Sequence, residues 1–361
     1  MHDLYAPHPE DTVRLNTGTK TRAAAACLAV TAAAACGIGN PESTSGTLTF
    51  VSTGSPFQDY QKKAWQDPFT AETKVKIRND GPVDEARLRT MVEAKKVSWD
   101  VVDTSAAAAE QYCGKYVEKL DFSIIDKNAF PKGTVGECGV PAYFYSLIFM
   151  FDKKKYTGNQ PTTITDFFDV KKFPGRRIVP PEIAVGLLEA ALLADGVPRD
   201  KLYPLDLDRA FRKLEPIKKV TTFAKTYGQM QQMLVDRQVD MGLVLSARAY
   251  QALKAGAPFE PVWDKTVVNW DDLVVPKGAP NKEEAMKFIA FASKDKPSAK
   301  LAELASVQPI NENITPNYDP FQQRINPYTP ERRGSIVRSD SAWWGKNFDE
   351  VTKRYTAWLA G

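Results

Sequence analysis

Histidine, the side chain that most often serves as a general base or a metal ligand, is nearly absent from this chain. Of the 361 residues only His2 and His8 are histidines, and both precede an apparent leader segment. If the leader is cleaved, the mature chain contains no histidine at all. That absence excludes Ser-His-Asp and Cys-His catalysis and imidazole metal sites. Enzymes that work through carboxylates or lysine remain open.

Other motifs of catalysis and cofactor binding are also missing from the sequence. There is no GxxxxGK[ST] phosphate loop, GxGxxG fingerprint, GxSxG elbow or HExxH pair. Acidic residues are plentiful, so a glycosidase-like pair stays open, but no two of them stand out. The formal net charge of +4 is too small and too dispersed to indicate a nucleic-acid partner. We therefore expect a binding protein without a cofactor or a metal.

The elements that would position a binding site alternate between strands and helices. Strands are predicted at 47–51, 74–80 and 99–105, with helices at 83–96 and 106–112. This alternation indicates βαβ units and a parallel sheet. Ligands of such sheets lie outside the carboxyl ends of the strands, where residues 52–55 and 103–105 would be.

The same pattern starts again after a long apolar run, GVPAYFYSLIFMFDKKKY at 139–156, which we predict to be a central strand. Helices are then predicted at 182–197 and 206–219, and a terminal helix at 343–360. The length predicts two domains, and the composition, 43% hydrophobic and 25% charged, is that of a globular protein.

The first 46 residues have the features of export. Basic residues at 20–22 precede thirteen small or apolar residues that end just before Cys36, a run too short to span a bilayer. We predict a signal peptide at 1–35, lipidation of Cys36 and a polar tether at 36–46. A plain secreted protein is the alternative. The mature chain would then lie at the extracytoplasmic face of the cell membrane or in the periplasm.

Cys113 and Cys138 are the two cysteines that remain after the leader. In an exported chain, a pair 25 residues apart most simply forms a disulfide. A zinc site would need carboxylates to complete it, so it is the weaker alternative.

Several segments, in order over residues 47–315, resemble bacterial extracellular solute-binding proteins of the spermidine/putrescine-binding group. The most specific are PTTITDFFDVKKFPGRRIVP, LLEAALLADGVPRDKLYPLDLDRAFRKLEPIKK and VDMGLVLSARAYQALKAGAPFEPVWDKTVVNWDDLVVPKGAPN. Where amino-acid-binding relatives commonly have W-N-G-R, this chain has Ser246-Ala247-Arg248. The arginine is kept, and the tryptophan and asparagine are not.

The resemblance implies an α/β fold of the periplasmic-binding-protein type (type II), with two lobes that each hold a mainly parallel sheet flanked by helices. Lobe 1 would comprise 46–144 with 262–312, lobe 2 would comprise 145–261, and a helical segment at 313–361 would pack on both. It also implies a monomeric receptor that hands an amine-bearing solute to an ABC permease.

Two side chains would recognise the ends of such a solute. By its spacing to the run Leu273–Pro276, Asp271 matches the residue that receives an amine in polyamine binders, although Asp272 is an equally available neighbour. Arg248, at a strand-to-helix corner, suits a carboxylate through its planar fork. Together they would bind a zwitterion with separated charges such as γ-aminobutyrate, whereas a polyamine has no use for Arg248. Exposed or ion-paired surface positions are the alternative for both.

Seven further residues complete the predicted site. Trp270 could offer a cation–π face, or it could simply pack under its strand. Gly54 and Ser55 lie in the first strand–helix loop, where a simple turn is the competing interpretation. The remaining candidates lie in the long apolar run or at the opening of a helix near 229, and they are Tyr145, Ser146, Tyr227 and Gln229.

Two other classes of function compete with a solute receptor. A secreted hydrolase or lyase could use carboxylates on the same fold, and turnover of a candidate ligand would reveal it. A sensor or adhesion module would need no permease.

Overall fold

Strands of two α/β units meet in one mixed sheet in the computed structural model, which describes residues 46–361. The predicted leader, Cys27, Cys36 and nearly all of the tether lie outside the described residues. The strands are β1 (Thr47–Val51), β2 (Lys76–Asp80), β3 (Val101–Ser105), β4 (Gly139–Asp152), β5 (Arg177–Val179), β6 (Thr221–Phe223), β7 (Met241–Leu245), β8 (Phe259–Val274) and β9 (Ile336–Arg338).

Thirteen α-helices flank this sheet within the described range. They are α1 (Phe57–Gln61), α2 (Asp67–Thr73), α3 (Glu85–Glu93), α4 (Ala106–Tyr112), α5 (Ile164–Phe168), α6 (Leu187–Ala194), α7 (Leu207–Leu214), α8 (Tyr227–Val235), α9 (Ser246–Lys254), α10 (Lys282–Ala292), α11 (Asp295–Ala305), α12 (Pro320–Ile325) and α13 (Ser341–Ala360). None of the helices in residues 46–361 combines the length and the apolar character needed to cross a membrane.

The strand order is β2-β1-β3-β8-β4-β7-β5-β6, and β9 pairs with β8. Pairs β1/β2, β1/β3, β5/β6 and β5/β7 are parallel. We call β1–β3 the first half of the sheet and β5–β7 the second half. The predicted α/β fold, with its mainly parallel strands, is confirmed.

Two long strands cross from one half to the other. β4 pairs antiparallel with β8 over most of its length and with β7 through its carboxyl-terminal part. The end of β8 pairs antiparallel with β3. Almost every residue of β4 is buried, as its apolar run predicts for a central strand.

The helices predicted at 182–197 and 206–219 are wrong in their extent. The helix predicted at 182–197 is interrupted at Gly186, whose φ of +108° separates the 3₁₀ turn Ile183–Val185 from α6. A Cβ at Gly186 would come within 2.8 Å of Val267, so the close approach of β8 requires glycine there. The helix predicted at 206–219 ends at Leu214 and continues as a 3₁₀ segment containing Pro216.

A disulfide joins Cys113 at the end of α4 to Cys138 just before β4, with their Cα atoms 5.3 Å apart. The predicted pairing is confirmed. Because β4 begins at the next residue, the disulfide fixes where this crossing strand starts relative to α4.

Candidate functional site

A cavity of about 550 Å³ lies between the two halves of the sheet. Its first-half wall comes from the loop after β1 and the end of β3, with Thr53 and Asp103. Its second-half wall follows β5 and includes Glu182. The cavity thus lies where parallel strands end, which is where ligands of such sheets bind.

One face of the sheet supplies the acidic end of this cavity. Asp271 of β8 pairs with Ser105 of β3 on one side and with Tyr143 of β4 on the other. The Tyr143 hydroxyl donates to Asp271 Oδ2 at 2.6 Å. Side chains alternate along a strand, so Asp272 points to the opposite face. Asp272 is 2% exposed and lies against Gly139. Asp271 therefore faces the cavity and Asp272 does not.

The surroundings of Asp271 favour a bound positive charge. Burial raises the pKa of the Asp271 carboxyl, and the hydroxyls of Tyr143 and Tyr145 only partly offset this. Burial and then the charge of Asp271 raise the pKa of Glu182. A cation bound among these groups would lower the pKa of both carboxyls and so favour their charged forms.

Asp103 was not among the predicted site residues, although its strand end was. It accepts hydrogen bonds at Oδ2 from Ser52 Oγ at 3.0 Å and Gln61 Nε2 at 2.5 Å. Burial, followed by the charge of Asp271, raises the pKa of the Asp103 carboxyl well above its ordinary range.

Arg248 lies in the first turn of α9. Its guanidinium lies 5.8 Å from the centre of the Tyr227 ring and 3.5 Å from Gln231 Oε1. No ion pair involves Arg248 within residues 46–361, and burial lowers its pKa. A half-buried arginine without an acidic partner is suited to an anionic ligand group.

Tyr227 lies near both Asp271 and Arg248. Burial raises the pKa of the Tyr227 phenol most, followed by Glu182 and then Asp271, while the charge of Arg248 lowers it. Asp271 and Arg248 therefore both lie near this phenol without pairing with each other.

Tyr145 and Trp270 line the cavity together with Asp271. The Tyr145 ring is 6.4 Å from that of Tyr143. Trp270 is buried and contacts Phe144 edge to face at 5.7 Å, so it packs under its strand while bordering the cavity. Its cation–π role stays a prediction.

Six of the nine predicted ligand residues lie outside the cavity lining: Arg248 and Tyr227, described above, and four others. Ser55 is exposed, and the carbonyl of Gly54 accepts from the Gln58 amide at 2.9 Å as α1 begins. Ser146 is buried, and its hydroxyl donates to Gln308 at 3.3 Å. Gln229 accepts at Oε1 from the Lys225 amide at 2.7 Å, which caps α8. These contacts are internal to the protein, and a ligand role for the four stays a prediction.

Among the cavity-lining residues that sequence reasoning did not name are Thr53, Asp103, Glu182 and Trp344. Thr53 and Glu182 lie shortly after the carboxyl ends of β1 and β5, a position that could have identified them, whereas Asp103 lies in the middle of β3. Trp344 of the terminal helix also lines the cavity, and no local pattern indicates that.

A family profile described as "Bacterial extracellular solute-binding protein" matches residues 64–324. This chain belongs to that family. It is 31% identical over 324 residues to the gamma-aminobutyric acid-binding protein of Pseudomonas aeruginosa, covering 88% of this chain and 92% of the relative. The predicted family and the prediction of a solute-binding protein are confirmed.

Two further similarities bear on the type of solute. The solved structure of the Atu4243 GABA receptor superposes with a TM-score of 0.80 at 38% identity, covering 87% of this chain and 97% of that one. The spermidine/putrescine-binding periplasmic protein of Salmonella typhimurium is 29% identical over 147 residues, covering 40% of this chain and 42% of the relative. These relatives are binding proteins, which confirms a receptor and gives no support to a hydrolase.

Proposed function

We propose that this solute-binding protein takes up a zwitterionic amino acid whose charges are separated, with γ-aminobutyrate as the best candidate. Asp271 receives the ammonium group, and Arg248 receives the carboxylate. The observation that carries this proposal is that the half-buried Arg248 has no acidic partner within the described chain, while both it and the cavity-lining Asp271 influence the Tyr227 phenol.

The separation of the two charged ends supports a chain-like zwitterion. In an α-amino acid, one carbon joins the ammonium and the carboxylate, whereas Asp271 lies beside β3 of the first half and Arg248 lies on α9, which follows β7 of the second half. The relatives named for γ-aminobutyrate point the same way.

A polyamine is the second candidate, and a specific observation favours it. Four acids, Glu85, Asp103, Glu182 and Asp271, line the cavity, whose lining does not include Arg248. That excess of negative charge would suit a ligand with two or more ammonium groups.

The proposal extends to transport. The two halves act as the lobes predicted from the sequence, 46–144 with 262–312 and 145–261, and they close on the solute as β4 and β8 bend. The closed monomer then delivers the solute to an ABC permease. Lipidation at Cys36 would hold the receptor near that permease.

A thermal-shift screen tests the function. The unfolding midpoint is measured with γ-aminobutyrate, glycine, putrescine and spermidine at matched concentrations. Because a ligand at 100 times its Kd stabilises by about 2.7 kcal/mol, γ-aminobutyrate should raise the midpoint by several degrees and glycine should not. A shift with the polyamines alone would select the second candidate, and no shift with any amine would contradict the function.

A further inference from the structure

Asp103 and Asp271 occupy the same face of the sheet on adjacent strands. Ser105 pairs with Asp271, and Asp103 pairs with Leu273. Since side chains two residues apart point to one side of a strand, Asp103 and Asp271 are diagonal neighbours. Tyr143, directly opposite Asp271 on β4, shares that face.

Asp103 has one carboxylate oxygen without a hydrogen-bond partner in residues 46–361, although the Tyr143 hydroxyl, which donates to Asp271, lies close enough to lower the pKa of Asp103. Oδ2 accepts from Ser52 and Gln61, whereas Oδ1 is buried without a hydrogen-bond partner. The residue is 1% exposed and lines the cavity. Burial of an unsatisfied carboxylate oxygen is unfavourable, so a donor from a ligand would recover a substantial interaction.

We propose that Asp103 is a second carboxylate ligand of the solute's ammonium group, beside Asp271, and that this pair selects an ammonium with N–H donors over a quaternary one. The inference rests on the proposed function, because it concerns the amine end of the same site. A primary ammonium has three N–H donors, enough to reach Asp103 Oδ1 and Asp271 together.

The aromatic rings at this end raise the opposite possibility, a cage for a quaternary ammonium. The ring centre of Phe57 lies 4.9 Å from that of Tyr143, and the ring centre of Tyr145 lies 6.4 Å from it. Such cages bind trimethylammonium groups through cation–π contacts. A trimethylammonium group has no N–H, however, and would leave Asp103 Oδ1 unsatisfied. The unpaired oxygen therefore favours an ammonium with N–H donors.

The charge state of the pair agrees with this geometry. Burial and the neighbouring charge of Asp271 raise the pKa of Asp103, so the two carboxyls tend to keep a proton when no ligand is bound. A bound ammonium supplies a positive charge and N–H donors, and it can therefore take the place of this proton.

Calorimetric titration with γ-aminobutyrate, 4-(methylamino)butyrate and 4-(trimethylammonio)butyrate tests the inference on the wild-type protein. Each methyl group removes one donor, and a hydrogen bond between charged groups is worth about 10- to 150-fold in affinity. The monomethyl compound keeps two N–H donors, one for each carboxyl, and should bind within about tenfold of γ-aminobutyrate, whereas the trimethyl compound has none and should bind about 100-fold more weakly.

Two variants then locate the effect. Asp103→Asn should bind γ-aminobutyrate about 10- to 100-fold more weakly and should discriminate less against the trimethyl compound. Asp272→Asn is the matched control, since Asp272 is equally buried but lies on the opposite face. Its affinity should stay within about threefold of wild type.

The outcomes separate this inference from the proposed function. If wild-type protein binds γ-aminobutyrate and Asp103→Asn binds it equally well, the inference is wrong and the function stands. Equal or tighter binding of the trimethyl compound by wild-type protein would also overturn it, in favour of the aromatic cage, and this result does not depend on how the variant folds. If wild-type protein binds none of the three compounds, both the inference and the function fail.

Discussion

Tyr143 and Asp271 face each other across β4 and β8, and the tyrosine hydroxyl donates to the carboxylate at 2.6 Å. This contact joins the two crossing strands at the border of the cavity. The hydrogen bond holds the Asp271 carboxylate in place, and the tyrosine ring lies beside the position proposed for the ammonium group. A strand that connects the two halves thus also shapes the site.

Stability should depend on pH through the buried acids of the cavity. The pKa values of Asp103, Asp271 and Glu182 are raised, with burial as the first cause. Such a group keeps its proton in the folded state after the unfolded chain has lost it. The free energy of unfolding therefore falls as pH rises from the ordinary carboxyl pKa toward the raised one.

The Asp103→Asn variant isolates one of these contributions. Without ligand, its unfolding midpoint should rise relative to wild type as pH increases from 4 to 8, because asparagine cannot ionise. Circular dichroism melts at each pH measure this difference. A difference that stays constant over the range would show that Asp103 ionises as easily in the folded protein as in the unfolded chain.

The terminal helix should be sensitive to a side chain at Gly345. A Cβ there would approach Glu110 Cβ at 2.7 Å and the Ala107 carbonyl oxygen at 2.9 Å, so α13 could not keep its distance from α4. Gly345→Leu is expected to lower the free energy of unfolding by about 1–3 kcal/mol in urea titrations. Ala342→Leu, on the exposed side of the same helix, is the control and should change it little. Equal effects would mean that α13 does not pack closely on α4 in solution.

The disulfide should stabilise the protein by restricting the unfolded chain. Closing a loop of 25 residues corresponds to about 3.5 kcal/mol in the chain-entropy model. Replacing both Cys113 and Cys138 with alanine should lower the free energy of unfolding by that order, and a reducing agent should then have no further effect. Two free thiols in unreduced wild-type peptides by mass spectrometry would contradict the disulfide.

Closure of the two halves should accompany binding, because Asp271 lies beside β3 of the first half, Arg248 follows β7 of the second half, and one small ligand must contact both. Small-angle scattering should show a smaller radius of gyration with saturating γ-aminobutyrate than without it. An unchanged radius at saturation would contradict a hinge.

Much of the fold was predictable because local patterns determine it. The alternation of strands and helices and the apolar run of β4 indicated an α/β protein with a buried central strand. The break at Gly186 was not predictable, since it results from the approach of Val267, which is distant in sequence. The full extent of β8 was likewise missed, because only its last residues, near Leu273, have an uninterrupted apolar pattern.

The site was predictable to the extent that it lies at strand ends. Asp271, Tyr145 and Trp270 border the cavity as expected. Asp103 and Tyr143 were missed because their importance comes from strand register, which brings both to Asp271. A single sequence does not contain that register, so the pairing of β3, β8 and β4 had to come from the structure.

Calorimetric titration of γ-aminobutyrate into wild-type protein, Asp271→Asn and Arg248→Ala is the most direct test of the account. Truncating one member of a buried charged pair costs about 2–5 kcal/mol, so each variant should bind about 30-fold to several thousand-fold more weakly than wild type. Loss of affinity in Asp271→Asn alone would indicate a polyamine-like mode that does not use Arg248. Wild-type affinity in both variants would contradict the proposed site.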